Sequence, residues 1–206
     1  MKPLALIRYA LLALVVSTPG FAELRQNSNS ASADSRPLKD AIILIIRHAE
    51  KPDSGQGLSP AGQQRAEACV HYFKNFQVDA KPLKLDCLFA TADSKGSQRP
   101  RLTLEPLGNA LGLKIDSRFK NKNFRELADE IQFKNHGKSI LICWHHGEIP
   151  ALLQALGADP AKLLPGAKWP DQEFGWVIQL RYDDEGRLIP GETRRLNENL
   201  MPGDTK

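Results

Sequence analysis

Two uninterrupted runs of apolar residues stand out from an otherwise mixed pattern of hydrophobic and polar positions. Residues 41–46 (AIILII) and 139–144 (SILICW) are rich in branched side chains and do not alternate with polar residues. Such runs are typical of strands that are buried on both faces of a parallel sheet. We therefore predict two central strands here, and a further strand over 83–90.

Segments with helical spacing lie between these strands. Ser59 is a suitable N-cap before Pro60, and apolar residues recur at helical spacing as far as Phe73. Further helices are predicted from Pro100, over 124–133 and over 149–156. Pro106 is expected to kink or end the helix in which it lies, because proline lacks a backbone N–H.

The end of the chain predicts a hairpin, with strands over 174–182 and 187–190 and a turn at 184–186. Strands and helices thus alternate along the whole pattern. This alternation predicts an α/β fold, a single three-layer α/β/α domain with helices on both faces of a mainly parallel central sheet. In such sheets ligands bind at the carboxyl ends of the strands.

The first 22 residues have the pattern of a secretory signal peptide. Lys2 and Arg8 supply a positive start, residues 10–16 form a short apolar run, and small residues precede a cleavage point after Ala22. The run is far shorter than the ~20 residues of a membrane-spanning helix. We expect export to the periplasm or the medium, with no stable membrane insertion after cleavage; an uncleaved anchor or an amphipathic start is the alternative.

The next segment differs in composition from the rest of the chain. Residues 23–37 are rich in Ser, Asn and Ala and have no apolar periodicity, which is typical of a flexible leader. The folded domain is expected over 38–206. This divides the chain into a signal peptide (1–22), a leader and one domain.

Composition limits the classes of partner. The chain has 206 residues, of which 41% are hydrophobic, and its 28 Lys and Arg exceed its 24 Asp and Glu to give a net charge of +4. These values are ordinary for a globular protein and exclude extended disorder. The sequence has no block of five or six like charges, so we expect no nucleic-acid partner. The oligomeric state stays open.

The three cysteines permit at most one disulfide. Cys143 lies in the second apolar run and is expected to be a small buried hydrophobe. Cys69 and Cys87 are the one plausible pair in an oxidising compartment, and the sequence leaves open whether they are bonded. No two cysteines have the spacing of zinc ligands.

Basic and imidazole side chains follow three of the predicted strands. Arg47 and His48 follow the first apolar run, His145 and His146 end the second, and Arg99 lies in the loop beyond the strand between them. These side chains are expected to meet at one edge of the sheet. Guanidinium groups bind phosphate through a bidentate fork, and a histidine there can attack the phosphorus atom. The pattern predicts a site for a small phosphorylated substrate.

Four segments around these residues carry a longer pattern: residues 44–51 (LIIRHAEK), 58–66 (LSPAGQQRA), 99–103 (RPRLT) and 140–150 (ILICWHHGEIP). In this order they resemble the motifs of the histidine phosphatase superfamily, the phosphoglycerate mutase-like proteins. The Arg-His-Ala triplet is similar to that family's usual Arg-His-Gly. The match spans roughly residues 40–182, in an order that chance rarely supplies.

The resemblance implies a phosphoglycerate mutase-like fold and a role for each matched residue. His48 would be the nucleophile that forms a phosphohistidine, and Arg47 and Arg99 would bind the phosphoryl oxygens. Alignment on the following Ile-Pro pair makes His145 the second catalytic histidine, with His146 as its competitor and a further phosphate-binding candidate. Clustered positive charges keep the imidazole neutral. We expect no metal and no cofactor, because the arginines supply the positive charge.

The general acid is where the chain departs from the family. The best alignment puts Asn121 where mutase-like members carry a glutamate. Glu126 is our candidate for the acid, and Asp53 and Glu148 are alternatives near the two catalytic loops. The second-arginine loop is longer than usual and is expected to shape substrate access or to lend Lys95 to the site. An acid is needed for a poor leaving group, but not for a phosphoramidate or an anhydride.

We therefore interpret the chain as an exported, metal-independent phosphoric monoester hydrolase that acts on a small phosphomonoester through a phosphohistidine. The alternative is a non-catalytic module of the same fold that binds phosphate or a phosphosugar. Asn121 favours the alternative, because it cannot protonate a leaving group. The presence of His48 favours the enzyme, because binding alone does not require a nucleophile. The natural substrate stays open.

Overall fold

A mixed six-stranded sheet lies at the centre of the computed structural model, which describes residues 38–204. In chain order the strands are β1 (Ile42–Arg47), β2 (Gln77–Val78), β3 (Lys81–Pro82), β4 (Cys87–Ala90), β5 (Ile115–Asp116), β6 (Ser139–Trp144), β7 (Trp176–Arg181) and β8 (Arg194–Asn197). The order across the sheet is β5-β4-β6-β1-β7-β8, and β2 and β3 pair separately. The predicted signal peptide and leader lie outside the described residues.

The first four strands of that order are parallel, and the last two are antiparallel to their neighbours. β1 and β6 pair from Ile42 opposite Ser139 to Arg47 opposite Trp144. These are the two apolar runs of the sequence, and they are central because both faces of each strand are covered. Their carboxyl ends are level, so the residues that follow them lie side by side.

Helices cover both faces of the sheet, as predicted. They are α1 (Pro60–Lys74), α2 (Arg99–Leu111), α3 (Phe124–Phe133), α4 (Ile149–Ala155) and α5 (Pro160–Leu163), with short 3₁₀ turns at Pro165–Ala167 and Pro190–Glu192. Ser59 caps α1, because its side chain accepts a hydrogen bond from the backbone N–H of Gly62 at 3.1 Å. α1 and α2 lie on one face of the sheet, and α3 and α4 lie on the other.

Successive side chains of β1 pack into different hydrophobic clusters because they point to opposite faces of the sheet. Leu44 packs with Phe73 of α1 and Leu107 of α2, whereas Ile43 packs with Leu127 of α3 and Leu152 of α4. All six side chains are at most 1% exposed. Burial of each such side chain stabilises the fold by about 1.5–3 kcal/mol, which fixes the sheet between its two helical layers.

The helix from Arg99 does not end at Pro106, contrary to one of the two outcomes expected there. It continues to Leu111 and is closed by Gly112 in the left-handed conformation, with φ of 67°. Proline removes one helical hydrogen bond, but the neighbouring Leu104 and Leu107 are fully buried. Their packing against the sheet holds the helix on both sides of the proline.

The second arm of the predicted hairpin is displaced along the chain. Residues 187–190 form only a single bridge, between Tyr182 and Leu188, and the partner strand of β7 is β8. Pro190 begins a 3₁₀ turn in place of a strand. Because proline has no N–H to donate to a ladder, pairing resumes only after it.

All three cysteines lie in the described part of the chain and are free. Cys69 packs in the cluster below α1 and α2, whereas Cys87 packs against the cluster on the opposite face of the sheet. The pair is therefore separated by the sheet and unbonded. Cys143 is fully buried, as predicted. Within residues 38–204, no helix combines the length and the apolar content needed to cross a membrane.

Candidate active site

A cavity of about 680 Å³ opens at the carboxyl ends of β1 and β6. Its lining includes Arg47, His48, Arg99, His145 and His146. The structure thus brings together the five residues that the sequence predicts for the phosphate site. The volume is in the range of small-molecule sites, so the cavity has room for a phosphoryl group and the group to which it is attached.

Main-chain hydrogen bonds fix His48 immediately after β1. Its N–H donates to the carbonyl of Trp144 at 3.1 Å, and the next N–H, of Ala49, donates to Oγ1 of Thr103 at 2.9 Å. Nδ1 of His48 lies 2.7 Å from the carbonyl oxygen of Ala49 and donates to it. The proton is therefore on Nδ1, and Nε2 keeps a free lone pair.

The electrostatic surroundings keep His48 neutral. Burial lowers its pKa to about 3, the carbonyl of Ala49 opposes this change, and the positive charge of Arg47 adds to it. Only 3% of the residue is exposed. At neutral pH the imidazole is therefore uncharged, which is the form in which a histidine acts as a nucleophile.

Arg47 is buried beside His48 and holds a distant part of the chain. Its Nη1 donates to the carbonyls of Asp171 and Glu173, both at 2.8 Å, and its guanidinium carbon lies 3.8 Å from the centre of the Phe174 ring. Burial lowers its pKa to about 10, so it stays charged at neutral pH. Its Nε is buried and has no partner in the described residues. An unsatisfied buried donor is costly, and an anionic oxygen would satisfy it.

Arg99 reaches the cavity from the first turn of α2. Its Nε is also buried without a partner in the described chain, and its Nη1 makes one long contact, 3.4 Å, with the carbonyl of Gly55. Oγ1 of Thr103 donates to the carbonyl of Arg99 at 2.8 Å and accepts from the N–H of Ala49. Thr103 therefore links the second arginine to the loop that carries His48.

The two adjacent histidines after β6 have different surroundings. The ring of His145 lies edge-on to that of His48, with 5.0 Å between their centroids, and burial lowers its pKa to about 4. Nδ1 of His146 lies 3.3 Å from Nη2 of Arg47, and its Nε2 lies 3.0 Å from a carboxylate oxygen of Asp171. Both ring nitrogens of His146 therefore have partners, and His145 is the histidine whose ring contacts that of His48.

The structure does not bring the candidate acid, Glu126, to the cavity. It lies exposed in the first turn of α3, where its carboxylate accepts from the side-chain amide of Asn123 at 2.7 Å. Neither Asp53 nor Glu148 lines the cavity, and Glu148 forms an ion pair with Lys122. The helix that carries Glu126 turns this side chain to solvent, so proximity in sequence does not become proximity in space.

Residues that sequence reasoning missed also line the cavity. Glu50 and Asp171 are carboxylates in the lining, and Phe174 supplies an aromatic surface. Asp171 belongs to a loop without strand or helix periodicity, so no pattern indicated that it lies beside β1. Phe174 was expected to begin the last strand, but that strand starts at Trp176, which leaves Phe174 in the same loop. Asn121 also lines the cavity, and its side-chain oxygen is buried without a partner in the described residues. Lys95 does not line it.

Within residues 38–204, no group of three or more His, Cys, Asp or Glu side chains is arranged to hold a metal ion. The positive charge in the cavity comes from the guanidinium groups of Arg47 and Arg99 and from the ammonium group of Lys51. Guanidinium groups are well suited to bind phosphoryl oxygens.

Comparison with known proteins gives similarity in structure only. No family model matches the chain, and no curated protein matches it in sequence. The fold is similar to that of a phosphoglycerate mutase from Plasmodium falciparum, with a TM-score of 0.50 and 13% identity over 81% of this chain and 96% of that one. The chain therefore has the phosphoglycerate mutase-like α/β/α fold. The phosphoglycerate mutase-like fold that was expected from the sequence motifs is therefore confirmed.

Two further solved structures are similar at lower scores. The protein histidine phosphatase SixA in complex with tungstate has a TM-score of 0.48 and 15% identity, over 76% of this chain and 97% of that one. A mycobacterial glucosyl-3-phosphoglycerate phosphatase has a TM-score of 0.40 and 19% identity, over 72% and 96% of the two chains.

Proposed function

We propose that this protein is an exported phosphatase that hydrolyses a small phosphomonoester through a phosphohistidine on His48, without a metal ion. One observation carries the proposal. His48 is neutral, its Nδ1 proton is held by a backbone carbonyl, and it shares a cavity with Arg47 and Arg99, two guanidiniums that each have a buried N–H without a partner. A neutral imidazole and two guanidinium groups thus line one cavity, and these are the groups that the proposed reaction requires as nucleophile and as phosphate-binding groups.

The proposed reaction has two phosphoryl-transfer steps. Nε2 of His48 attacks phosphorus, and the bond from phosphorus to the leaving oxygen breaks with its electron pair on that oxygen. Water then attacks the phosphohistidine, the P–N bond breaks and Nε2 regains its lone pair. One water is consumed, and its two hydrogens end on the alcohol and on phosphate. Arg47 and Arg99 stabilise the charge on the equatorial oxygens in both steps.

The surroundings of the carboxylates favour substrates with a good leaving group. The carboxylate of Glu50 is held by Arg65, and that of Asp171 is paired with His146. Neither is a free acid, and Glu126 lies away from the cavity. A general acid typically contributes about 10²–10⁴ in rate. We therefore infer that alkyl phosphates react at least about 10² slower than aryl phosphates, phosphoramidates or anhydrides.

The second candidate is a non-catalytic module that binds phosphate or a phosphosugar. Asn121 supports it, because it lines the cavity and stands at the position where the sequence resemblance implies a glutamate. Both candidates require phosphate to bind beside Arg47 and Arg99. They differ in turnover, so a rate measurement separates them.

The test is phosphate release from an aryl phosphate in the presence of EDTA, with His48→Ala as the variant. His71→Ala is the matched control, since His71 lies on the exposed face of α1. Turnover that survives EDTA, disappears in His48→Ala and persists in His71→Ala supports the proposal. Equal rates in the wild type and in His48→Ala contradict the covalent step. No turnover in any of them, while inorganic phosphate still raises Tm, supports the binding module.

Export rests on the sequence of residues 1–22. The proposal requires cleavage after Ala22 in a cell that secretes the protein. Mass spectrometry of the protein from the periplasm or medium should find a chain that begins at Glu23. Recovery of the intact chain from the cytoplasm contradicts export.

A further inference from the structure

A buried arginine joins the loop after β1 to the far C-terminal end of the described chain. Arg65, on α1, is 4% exposed. Its Nε and Nη2 donate to the carboxylate of Glu50 at 2.8–3.1 Å, and its Nη1 and Nη2 donate to the carboxylate of Asp204 at 3.0 and 2.6 Å. Both interactions are bidentate, which fixes the orientation of each carboxylate as well as its distance.

The loop on which Arg65 acts is the one that carries His48. Glu50 lies two residues after His48, and its backbone rests directly on α1 at Gly62. A Cβ atom at Gly62 would lie 2.4 Å from the carbonyl oxygen of Glu50, so only glycine permits this approach. The loop is therefore held against α1 by the close packing of the Glu50 backbone on Gly62 and by the ion pair between the Glu50 side chain and Arg65.

The C-terminal segment, which we define as residues 198–204, also reaches the support of Arg47. The N–H of Glu198 donates to the carbonyl of Gly175 at 2.6 Å, and a Cβ on Gly175 would lie 2.9 Å from the carboxyl carbon of Asp204. The N–H of Gly175 in turn donates to the side chain of Glu173, whose carbonyl accepts from Nη1 of Arg47. The segment thus contacts both the residues that support Arg47 and, through Arg65, the loop that carries His48.

Asp204 also shapes the segment to which it belongs. Its Oδ2 accepts from the backbone N–H groups of Leu200 and Met201 at 2.8 and 3.0 Å. The carboxylate that closes the turn at 200–204 is therefore the same one that accepts hydrogen bonds from Arg65. Loss of this carboxylate would release the turn and one side of the arginine together.

We propose that Asp204 is a positioning residue for the active site, acting through Arg65 and Glu50 on the loop that carries His48. Neither Arg65 nor Asp204 lines the His48 cavity, so neither contacts the substrate. The inference rests on the proposed function only for its kinetic readout. A displacement of about 1 Å in reacting groups can cost about 10²-fold in rate, so a distant ion pair can control turnover.

The test compares Asp204→Asn with Asp183→Asn in the complete protein. Asp183 is a matched control: it also accepts from two backbone N–H groups of its turn and pairs with an arginine, Arg187, at 2.9 Å. Its turn follows the end of β7 that lies opposite the start of β1, away from the cavity. The readouts are Tm, the Kd for inorganic phosphate by calorimetry, and kcat and KM with an aryl phosphate.

Asp204→Asn should lower kcat by about 10- to 100-fold and raise the Kd for phosphate about tenfold at temperatures where it is fully folded. Asp183→Asn should change neither by more than about twofold. Arg65→Lys keeps the charge but loses the fork, so it should reproduce both effects, and the double variant should be less than additive. If Asp204→Asn does not fold, Arg65→Lys alone provides the test.

A lower Tm with kcat and Kd both unchanged would overturn the proposal and leave a purely structural contact. The Kd for phosphate needs no turnover. If the wild-type protein binds phosphate but hydrolyses no ester, the proposed function fails, while the shift in Kd still decides the positioning role. Loss of phosphate binding in Asp183→Asn as well would also overturn it, because the effect would then not be specific to the C-terminal segment.

Discussion

Glu198 is fully buried beside Arg65, and its replacement by glutamine should stabilise the protein at alkaline pH. Neither of its carboxylate oxygens has a hydrogen-bond partner in the described chain, and the nearest is 3.6 Å from Nη1 of Arg65. That guanidinium is already shared by Glu50 and Asp204. A third negative charge there is therefore only partly compensated by Arg65, and burial raises the pKa of Glu198 from its ordinary value of 4.5 to about 8.

The sign follows from proton linkage. The folded state binds the proton of Glu198 more tightly than the unfolded chain does, so stability falls as the pH rises from about 4.5 to about 8. A pKa difference of 3.5 units (8 minus 4.5) corresponds to roughly 5 kcal/mol at 1.36 kcal/mol per unit. This value is an upper bound, because water entering the site would reduce it. Glutamine carries no charge and removes the dependence.

The assay is urea denaturation of the wild type and of Glu198→Gln at about pH 5 and about pH 9. The variant should gain roughly 3–5 kcal/mol relative to the wild type between the two values. Because the comparison is between two proteins at each pH, the titration of other groups cancels. A stability difference that is the same at both pH values would refute the reasoning and show that Glu198 is ionised in the fold throughout.

Three further predictions concern the residues that the sequence proposed for the active site. The pKa of His48 is lowered to about 3, so the unfolded chain binds its proton first and stability falls as the pH drops below about 6.5. Between about pH 7.5 and about pH 5 the free energy of unfolding of the wild type should fall by roughly 2 kcal/mol, and that of His48→Asn should not. An equal fall in both proteins would show that groups other than His48 cause it. His145→Asn should lower kcat by about 10²-fold or more, and His146→Asn by less than about tenfold, in a phosphate-release assay; the reverse order would exchange their roles. Glu126→Gln should leave kcat/KM within about twofold for both aryl and alkyl esters, and selective slowing of the alkyl ester would restore it as the acid.

The parts of the fold that the sequence predicts are those set by local pattern. Residues 42–46 of β1 and 140–144 of β6 include no polar position, and only a strand covered on both faces accommodates that pattern, so the central place of these strands follows directly. Helix α3 has the predicted bounds because its apolar positions form one clear face, with Leu127 and Ile131 buried. The short strands β5 and β8 carry too few residues to show a period. Their pairing is decided by the strands beside them.

The candidate site divides in the same way. Arg47 ends β1, and His48 and His145 directly follow β1 and β6, so their meeting at one edge is a consequence of parallel topology. Asp171 contacts Arg47, and Asp204 contacts Arg65 outside the cavity; each pair is separated by more than a hundred positions in the chain, and no local pattern encodes such pairs. Glu126 was wrongly expected near the cavity because alignment places a residue along a helix but does not fix the side of the helix that faces the site.

The measurement that tests the central claim most directly is the capture of the phosphorylated protein during turnover. The protein is mixed with an aryl phosphate, quenched in base, digested and examined by mass spectrometry. The account predicts a phosphoryl group on the peptide that contains His48, lost in acid and absent from His48→Ala. Turnover that continues with no phosphoryl group on His48, or with the group on a different residue, would contradict it.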